Sequence, residues 1–270
     1  MQTLVFARSA HPYDLGARRI RHRSTWKVSP VTQLPDFDAT YQGRPVTPSA
    51  TRVPWNIGEP QPAIAALIAA GQVSSPVLDA GCGIGETAIE LGARGYEVVG
   101  IDTSPAAIAQ ARRTAQERGV AVEFVVADIT TFGGYDGHFA TVIDSTLFHS
   151  LAIDQRAGYL AAIARAARQG ATLDMLVFDR RAPLRPGSGP NAVDETELRD
   201  AVGPHWTVDA ITPSSIHAWT PQGFAAPLDR DEQGRALFPA FLLRAHLPDD
   251  QLPRSRQPVA AHPQRVGHRP

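Results

Sequence analysis

The stretch Val77–Asp102 constrains the fold of this 270-residue chain more than any other part of its sequence. It reads VLDAGCGIGETAIELGARGYEVVGID: a short apolar run, a turn with three glycines, a helical pattern that ends at Gly95, and a second apolar run that ends on Asp102. A strand, a glycine turn, a helix, a strand and a terminal acid form half of a nucleotide-binding α/β unit. The glycines leave bare main chain for a ligand to lie against. Asp102 can accept hydrogen bonds from both hydroxyls of a ribose.

The residues around the glycine turn favour a cationic nucleoside over a dinucleotide. A dinucleotide fingerprint has glycine at the first, third and sixth places, but the sixth place counted from Gly81 is Glu86. A carboxylate at the helix N-terminus would repel a pyrophosphate, which otherwise binds there. Asp79 adds a second acid, and a ligand with an amino group and a sulfonium would tolerate both. An NAD-dependent oxidoreductase is the alternative, and binding of a nicotinamide cofactor would revive it.

Beyond Asp102 the chain alternates strand and helix patterns, which predicts a doubly wound α/β fold. Ser104-Pro105 is a helix start, with Ser104 as the cap, and Gly119 is the stop. The fold class expected is a Rossmann-like, seven-stranded sheet that is mostly parallel, with an antiparallel edge strand. The elements predicted after Asp102 are helices over 106–118, 157–168 and 196–202 and strands over 122–126, 139–143, 172–178, 207–211 and 238–245.

Polar residues follow the strands predicted over 122–126, 139–143 and 172–178, where the ligand crevice of such a sheet lies. Asp128 can accept a hydrogen bond from the exocyclic amine of adenine, or cap a turn, and Ile129 can lie against the ring. His149 can take a proton from a phenol or thiol, and the alternative is a histidine bonded to backbone. Arg180 and Arg181 are candidates for pairing with an anionic acceptor or are solvated charges.

In combination these motifs resemble those of the class I S-adenosylmethionine-dependent methyltransferases. The motifs are DAGCGIG at 79–85, the acid at Asp102 and VVADI at 125–129. PWNIGEPQP at 54–62 resembles the segment before the first core helix in the thiopurine, thiol and halide methyltransferase group. The resemblance covers roughly residues 55–247. It implies S-adenosylmethionine as cofactor and methyl transfer to a small-molecule acceptor, an aromatic or soft nucleophile whose attacking atom (O, S, N or halide) stays open.

The resemblance also implies the site residues. The glycine turn, Asp144 and Ser145 lie near the methionine part of the cofactor, Asp102 binds the ribose, and Trp55 covers the cofactor. The expected cofactor-binding residues are Trp55, Asp79, Gly81, Cys82, Gly83, Gly85, Asp102, Thr103, Asp128, Ile129, Asp144 and Ser145, and the expected catalytic residues are His149 and Asp144. A non-catalytic S-adenosylmethionine-binding protein is the second alternative.

Composition disfavours several other classes. The net charge of −1, and the lack of Pro-Pro after the fourth strand, argue against a nucleic-acid partner. Cys82 is the single cysteine, which excludes intramolecular disulfides and fits a reducing compartment. The scattered histidines give no zinc spacing, so no metal is expected. No apolar run reaches the roughly 20 residues of a membrane span. We expect a cytoplasmic protein without a membrane partner, as a monomer or weak homodimer.

The ends of the chain differ in composition from its centre. Residues 1–36 are basic and are expected to be a disordered extension, with a nucleic-acid or membrane arm as the alternative. Residues 248–270 are rich in Pro, Arg and Gln and are expected to be a disordered tail. The methyltransferase domain is expected over 37–247. Its segment 37–62 carries aromatics among prolines, which predicts a lid over cofactor and acceptor or a packed connector.

Overall fold

The structure, a computed structural model, describes residues 36–44, 52–184, 190–221 and 223–249. The two predicted disordered ends lie almost wholly outside these residues, so their disorder stays a prediction. The described helices are α1 (Phe37–Tyr41), α2 (Pro62–Ala69), α3 (Glu86–Ala93), α4 (Pro105–Arg118), α5 (Arg156–Ala166) and α6 (Glu195–Val202). The described strands are β1 (Val77–Ala80), β2 (Val98–Asp102), β3 (Glu123–Val126), β4 (Phe139–Ser145), β5 (Ala167–Phe178), β6 (Thr207–Ala218) and β7 (Ala236–His246).

All seven strands form a single sheet in the order β3-β2-β1-β4-β5-β7-β6. β7 runs antiparallel to both of its neighbours, and the other pairs are parallel. The predicted doubly wound, mostly parallel sheet with antiparallel pairing at one edge is therefore confirmed. The strand order reverses between β1 and β4, and a crevice for ligands opens at the carboxyl ends of the strands at such a point.

Helices cover both faces of the sheet. α2, α3 and α4 pack on one face and α5 and α6 on the other, each around a separate apolar core. Successive residues of β1 serve the two cores, since Val77 packs in the first and Leu78 in the second. Burial on both sides explains why the central strands read as continuous apolar runs.

Local turn chemistry points two helix N-termini at the carboxyl edge of the sheet. Ser104 caps α4 by accepting from the Ala107 N–H at 3.0 Å, Pro105 occupies the first turn, and Gly119 ends the helix at φ +65°. Gly85 starts α3 at φ +84°. The predicted start and stop of α4 are confirmed.

Two predicted element boundaries are wrong. The helix expected over 157–168 ends at Ala166, and β5 begins at Ala167 because Ala167 pairs with Phe139 of β4. The ladder resumes at Thr172, so residues 168–171 bulge out of it, and Gly170 adopts φ +70° there. β6 continues beyond the predicted 207–211 to Ala218, through Pro213, which an edge strand tolerates.

Candidate active site

A cavity of about 590 Å³ opens at the carboxyl edge of the sheet, over the point where the strand order reverses. Three parts of the chain enclose it. The lining residues of 79–147, from β1 to β4, are called the glycine wall, and those of 149–238, from the region of β5 to β7, the aromatic wall. The lining residues of 37–61 are called the lid.

The glycine turn brings bare main chain to the cavity. Gly81 and Gly83 line it with φ of +68° and +53°, which L side chains rarely adopt. A Cβ on Gly83 would lie 2.7 Å from the Tyr41 hydroxyl, so a side chain there would have to displace that hydroxyl. Gly85, in contrast, does not line the cavity; its Cα faces Phe124 across the α3 start, where a Cβ would come within 2.7 Å of the ring. Gly85 therefore serves the turn and its packing.

Asp102 stands at the end of β2 with its carboxylate held by backbone. Its Oδ2 accepts from the Gly83 N–H at 2.9 Å and its Oδ1 from the Ser104 N–H at 2.8 Å. Burial raises the pKa of Asp102, and these backbone donors oppose that effect. Each carboxylate oxygen can accept more than one hydrogen bond, so Asp102 keeps acceptor capacity. Both Asp102 and Thr103 line the cavity.

Two further acids of the glycine wall titrate near neutrality. Burial raises the pKa of Asp79 to about 7, although the Ala88 N–H donates to its Oδ2 at 3.0 Å. Burial also raises the pKa of Glu86 to about 7, against donation from the backbone of the lid. A cation in the cavity would favour the ionised forms of both. Burial raises the pKa of the Cys82 thiol as well, so Cys82 lines the cavity as a neutral side chain.

The end of β3 contributes Asp128 and Ile129, which both line the cavity. Asp128 Oδ1 accepts from the backbone N–H of Thr130 at 2.9 Å and from its hydroxyl at 2.7 Å. Asp128 thus caps the following turn, which was the alternative weighed for it, and also faces the cavity. Ile129 is buried.

The structure does not bring Asp144 to the cavity. Its side chain is fully buried under the end of β4, where the Leu147 N–H donates to Oδ1 at 2.8 Å and the Tyr159 hydroxyl to Oδ2 at 2.8 Å. Burial raises its pKa to about 6. The expected catalytic and cofactor contacts of Asp144 are therefore not supported, because its oxygens shape the turn after β4. Ser145 and Thr146 of that turn line the cavity, and Thr146 has φ +79°.

His149 lines the cavity, but its surroundings do not fit the base expected from the sequence. The side chain is buried, and its Nδ1 accepts from the Phe178 N–H at 3.1 Å. Burial, and then the positive charge of Arg156, lower its pKa to about 3. His149 is therefore neutral at pH 7 and bonded to backbone, as the alternative interpretation held.

The lid is fastened to the glycine wall through α1. Asp38 accepts from the Ser104 hydroxyl at 2.6 Å and from the Ala106 N–H at 3.1 Å, which fixes α1 on the start of α4. Tyr41 then lies over the glycine turn, and its hydroxyl accepts from the Trp55 Nε1–H at 3.0 Å. Both rings line the cavity.

The other end of the lid is fastened to the β6–β7 hairpin. The Trp219 N–H donates to the Pro54 carbonyl at 2.8 Å. The Gln61 amide makes two hydrogen bonds to the backbone of His217, at 2.9 and 3.0 Å. The lid therefore joins the two walls rather than hanging from one of them.

Sequence reasoning missed the aromatic wall. His149 and Phe178 have ring centroids 4.4 Å apart, Phe178 and Phe238 5.8 Å, and Phe224 and Phe238 5.7 Å. These rings come from separate elements, so no motif joins them. Trp219 and Phe224, however, stand among prolines and glycines, the signal that identified the lid. The large apolar members of the wall are Leu151, Phe178, Leu184, Ile216, Trp219, Phe224 and Phe238.

Arg180 and Arg181 do not line the cavity. Arg180 pairs with Glu197, and Arg181 pairs with Asp179. Both arginine side chains are more than half exposed, at 58% and 73%. Arg180 and Arg181 are therefore solvated charges, the second of the two interpretations offered for them, and not partners of an anionic acceptor.

Comparison with known proteins agrees with this geometry. A family model described as "Methyltransferase domain" matches residues 77–170. The 2-heptyl-1-hydroxyquinolin-4(1H)-one methyltransferase of Mycobacteroides abscessus is 45% identical over 218 residues, which are 78% of this chain and 96% of that protein.

Solved structures share the fold of this chain. One described as "Conversion of a Disulfide Bond into a Thioacetal Group during Echinomycin Biosynthesis" is 35% identical, with a TM-score of 0.68 over 78% of this chain and 91% of that one. The 1,6-didemethyltoxoflavin-N1-methyltransferase of Burkholderia thailandensis, with bound S-adenosylhomocysteine, shares the fold at 22% identity and a TM-score of 0.52, over 70% and 77% of the two chains.

The residues of the cavity fit the cofactor of this family. The main chain of the glycine turn lines the cavity, Asp102 keeps acceptor capacity, and Asp79 and Glu86 suit a cation. No described helix is long and apolar enough to cross a membrane. The chain belongs to the class I S-adenosylmethionine-dependent methyltransferases and is an enzyme that transfers a methyl group from S-adenosylmethionine to a small-molecule acceptor.

Proposed function

We propose that the acceptor is a flat aromatic heterocycle with an apolar substituent, and that an oxygen atom of it receives the methyl group. The aromatic wall is the observation that carries this proposal. The Mycobacteroides abscessus relative supports it, because the compound in its name is a quinolone with a heptyl chain and a hydroxyl group.

The arrangement of the rings suits such an acceptor. Phe178 and Phe238 meet edge to face, with 70° between their planes, and Phe224 continues the series from the hairpin. Aromatic side chains in this arrangement offer both ring faces and ring edges to a flat ligand. Leu184 and Ile216 add aliphatic surface for an alkyl substituent. A largely apolar pocket with few polar groups is typical of small-molecule sites.

The cofactor-binding roles follow from the positions in the glycine wall. Asp102 holds the ribose hydroxyls through the acceptor capacity that its backbone donors leave free. Gly81, Cys82 and Gly83 lie along the methionine part with Ser145, and Asp79 and Glu86 face its positive charges. Asp128 and Ile129 hold the adenine. Bound there, the cofactor supplies a methyl group that its sulfonium already activates.

The lid and the two walls supply alignment and exclude water. Trp55 and Tyr41 cover the glycine turn from one side, and the hairpin closes the other. A displacement at carbon needs the attacking atom in line, so positioning gives the larger part of catalysis. Asp144 acts as a positioning residue, since it holds the turn that places Ser145 and Leu147 in the wall.

The proposal also covers the methyltransferase subgroup, the domain bounds, the cellular location and the oligomeric state. Kinship with the thiopurine, thiol and halide methyltransferase group is supported by the segment 54–62 and by the position of Trp55 over the cavity. We infer a methyltransferase domain over 37–247, with 1–36 and 248–270 as extensions. We also infer a cytoplasmic monomer or weak homodimer that needs no nucleic-acid partner.

Two measurements test the proposal. Calorimetric titration with S-adenosylhomocysteine, run beside NAD on the same preparation, should show binding of the first alone. Incubation with S-adenosylmethionine and 2-heptyl-1-hydroxyquinolin-4(1H)-one should add one methyl group to the acceptor, measured by mass spectrometry. Cofactor binding without methylation of this or other aromatic hydroxyl compounds, beside turnover of a thiol, would replace the oxygen acceptor by sulfur.

A further inference from the structure

We propose that His149 donates a hydrogen bond to the acceptor oxygen instead of removing its proton, so that the enzyme selects acceptors whose oxygen is already ionised near neutral pH. This inference rests on the proposed function and assigns His149 and the aromatic wall a part in specificity. It reverses the role that a histidine beside an acceptor site first suggests.

Hydrogen bonding fixes the tautomer of His149. The backbone N–H of Phe178 can only donate, so Nδ1, 3.1 Å away, must carry a lone pair. A neutral imidazole then carries its proton on Nε2. No described residue is hydrogen-bonded to Nε2, and the ring forms part of the cavity wall. Nε2–H can therefore donate a hydrogen bond to a ligand bound in the cavity.

The charges around His149 keep it neutral. Arg156 of α5 lies with its guanidinium 4.5 Å from the centre of the Phe148 ring, next to His149 in the chain, and disfavours a second positive charge. Two carboxylates of the neighbouring strands are engaged elsewhere: Asp144 of β4 with the Tyr159 hydroxyl, and Asp179, just after β5, with Arg181. Neither carboxylate stabilises an imidazolium at His149.

The aromatic wall offers no substitute base. Among its described residues, His149 is the one titratable side chain, and the carboxylates that line the cavity all come from the lid or the glycine wall. On our proposal, the acceptor loses its proton to solvent before it reacts. Its oxygen anion then forms the new bond to the methyl carbon while the sulfur–methyl bond breaks and leaves its electron pair on sulfur. A largely apolar wall with an N–H donor at His149 suits an anion whose charge is spread over an aromatic ring.

The first test separates a donor from a base by substitution. His149→Gln keeps an N–H donor near the position of Nε2, whereas His149→Phe removes every polar atom of the side chain. With 2-heptyl-1-hydroxyquinolin-4(1H)-one, we expect His149→Phe to raise KM by about tenfold to a hundredfold, the effect of losing a hydrogen bond to a charged group. His149→Gln should raise KM for the same acceptor much less. Equal, large losses of kcat in both variants, with S-adenosylhomocysteine affinity and melting temperature intact, would overturn the proposal.

The second test uses the pH profile and needs no variant. The midpoint of kcat/KM against pH should follow the acidity of the acceptor, so a ring-fluorinated, more acidic analogue should move it to lower pH. A midpoint that is the same for both acceptors would assign the proton transfer to the enzyme and overturn the donor role, while leaving the proposed acceptor class in place.

The third test reads the bound acceptor without turnover. In the complex with S-adenosylhomocysteine, at a pH where the free acceptor is mostly protonated, the absorption spectrum of the quinolone should change to that of its anion. A bound quinolone with the spectrum of the neutral form would contradict the proposal. Failure of the quinolone to bind at all, beside normal S-adenosylhomocysteine binding, would instead remove the acceptor class and this inference with it.

Discussion

The two walls of the cavity are built on opposite physical principles. The glycine wall is polar and made of main chain and acids, in which Asp79, Glu86 and Asp102 are all tied to backbone N–H groups. The aromatic wall is apolar, and His149 is its one titratable side chain among the described residues. The glycine wall can be specific for one charged ligand, because its hydrogen-bonding groups are fixed. The aromatic wall can bind flat acceptors of varied shape.

The difference also follows the chain. The glycine wall comes from β1 to β4, where parallel strands and short connections place consecutive motifs side by side. The aromatic wall comes from the segments after β4 and β5, from β5, β6 and β7 themselves, and from the hairpin between the last two, where β7 inserts antiparallel. A change in one wall should therefore alter the binding of one ligand and leave the other nearly unaffected.

The largest effect that separates the walls is expected from Asp102→Ala. The substitution removes the carboxylate proposed to hold two ribose hydroxyls, and hydrogen bonds to a charged group contribute about 1.5–3 kcal/mol each. S-adenosylhomocysteine affinity should fall by about a hundredfold in a calorimetric titration. Asp200→Ala, at an exposed position on α6, is the matched control and should not change it. Unchanged affinity in Asp102→Ala would remove Asp102 from the cofactor site.

The converse effect is expected from Phe224→Ala in the hairpin. Loss of its ring exposes the edge of Phe238 and removes apolar surface that an acceptor would cover. Burying an aromatic or large aliphatic side chain contributes about 1.5–3 kcal/mol, so KM for the quinolone should rise by about tenfold.

S-adenosylhomocysteine affinity should stay within about twofold of the parent protein in Phe224→Ala, a change near 0.4 kcal/mol. A parallel loss of cofactor affinity would mean that the hairpin supports the glycine wall through its contact with the lid, and that the two walls are not independent.

The same contrast decides how much of the site the sequence could predict. The glycine wall was predictable because its residues lie within short motifs, and Asp102, Asp128 and Ser145 were assigned to the crevice from their places at strand ends. The aromatic wall was not, because Phe178, Phe224 and Phe238 meet only after β7 has paired with β5 and β6.

Two predictions made from the local sequence were wrong because of contacts with other elements. Asp144 follows the pattern of a ligand-binding acid at a strand end. Its carboxylate instead accepts from the Tyr159 hydroxyl of α5 in the interior, and no residue near Asp144 in the sequence indicates that partner. The end of α5 was misplaced because tertiary pairing of Ala167 with Phe139 overrides the helical preference of an alanine-rich segment. The order of elements, in contrast, depends on periodicity and turn residues, and it was predicted correctly.

A smaller effect should come from the contact of lid and glycine turn. In Gly83→Ala the new Cβ would meet the Tyr41 hydroxyl, and alanine at φ +53° costs roughly 1–2 kcal/mol in backbone strain. S-adenosylhomocysteine affinity should fall by about fivefold, a change near 1 kcal/mol.

A double-mutant cycle with Tyr41→Phe separates the two causes. The double variant should recover the part of the affinity that the clash removes, because Phe lacks the hydroxyl. Gly95→Ala is the matched control for strain alone, since its φ is +86° and no atom lies within 4 Å of its Cβ position. Additive effects of Gly83→Ala and Tyr41→Phe would mean that the lid does not press on the turn when cofactor is bound.

The smallest effect on ligand binding is expected from a pH dependence that arises in the glycine wall. Burial raises the pKa of Asp79 and Glu86 to about 7, above the values near 4 of carboxyl groups in an unfolded chain. At these two groups the folded apoprotein thus holds protons that the unfolded chain has released, so their contribution to the free energy of unfolding should decrease as pH rises from about 4 to 7. Binding should show the opposite trend, because ionised carboxylates attract the sulfonium of S-adenosylmethionine.

From pH 6 to 8 the affinity for S-adenosylmethionine should therefore increase by about two- to threefold, which corresponds to roughly 0.5 kcal/mol. Glu86→Gln keeps the size of the side chain and removes its proton equilibrium, so it should flatten this rise while leaving KM for the acceptor unchanged. Titration with S-adenosylhomocysteine, which lacks the sulfonium charge, should show a weaker rise in the parent protein. If the affinities for both ligands rose equally with pH, and Glu86→Gln had no effect on that rise, the two acids would act on the amino end of the cofactor or not at all. The polar character of the glycine wall would then come from Asp102 and the main chain.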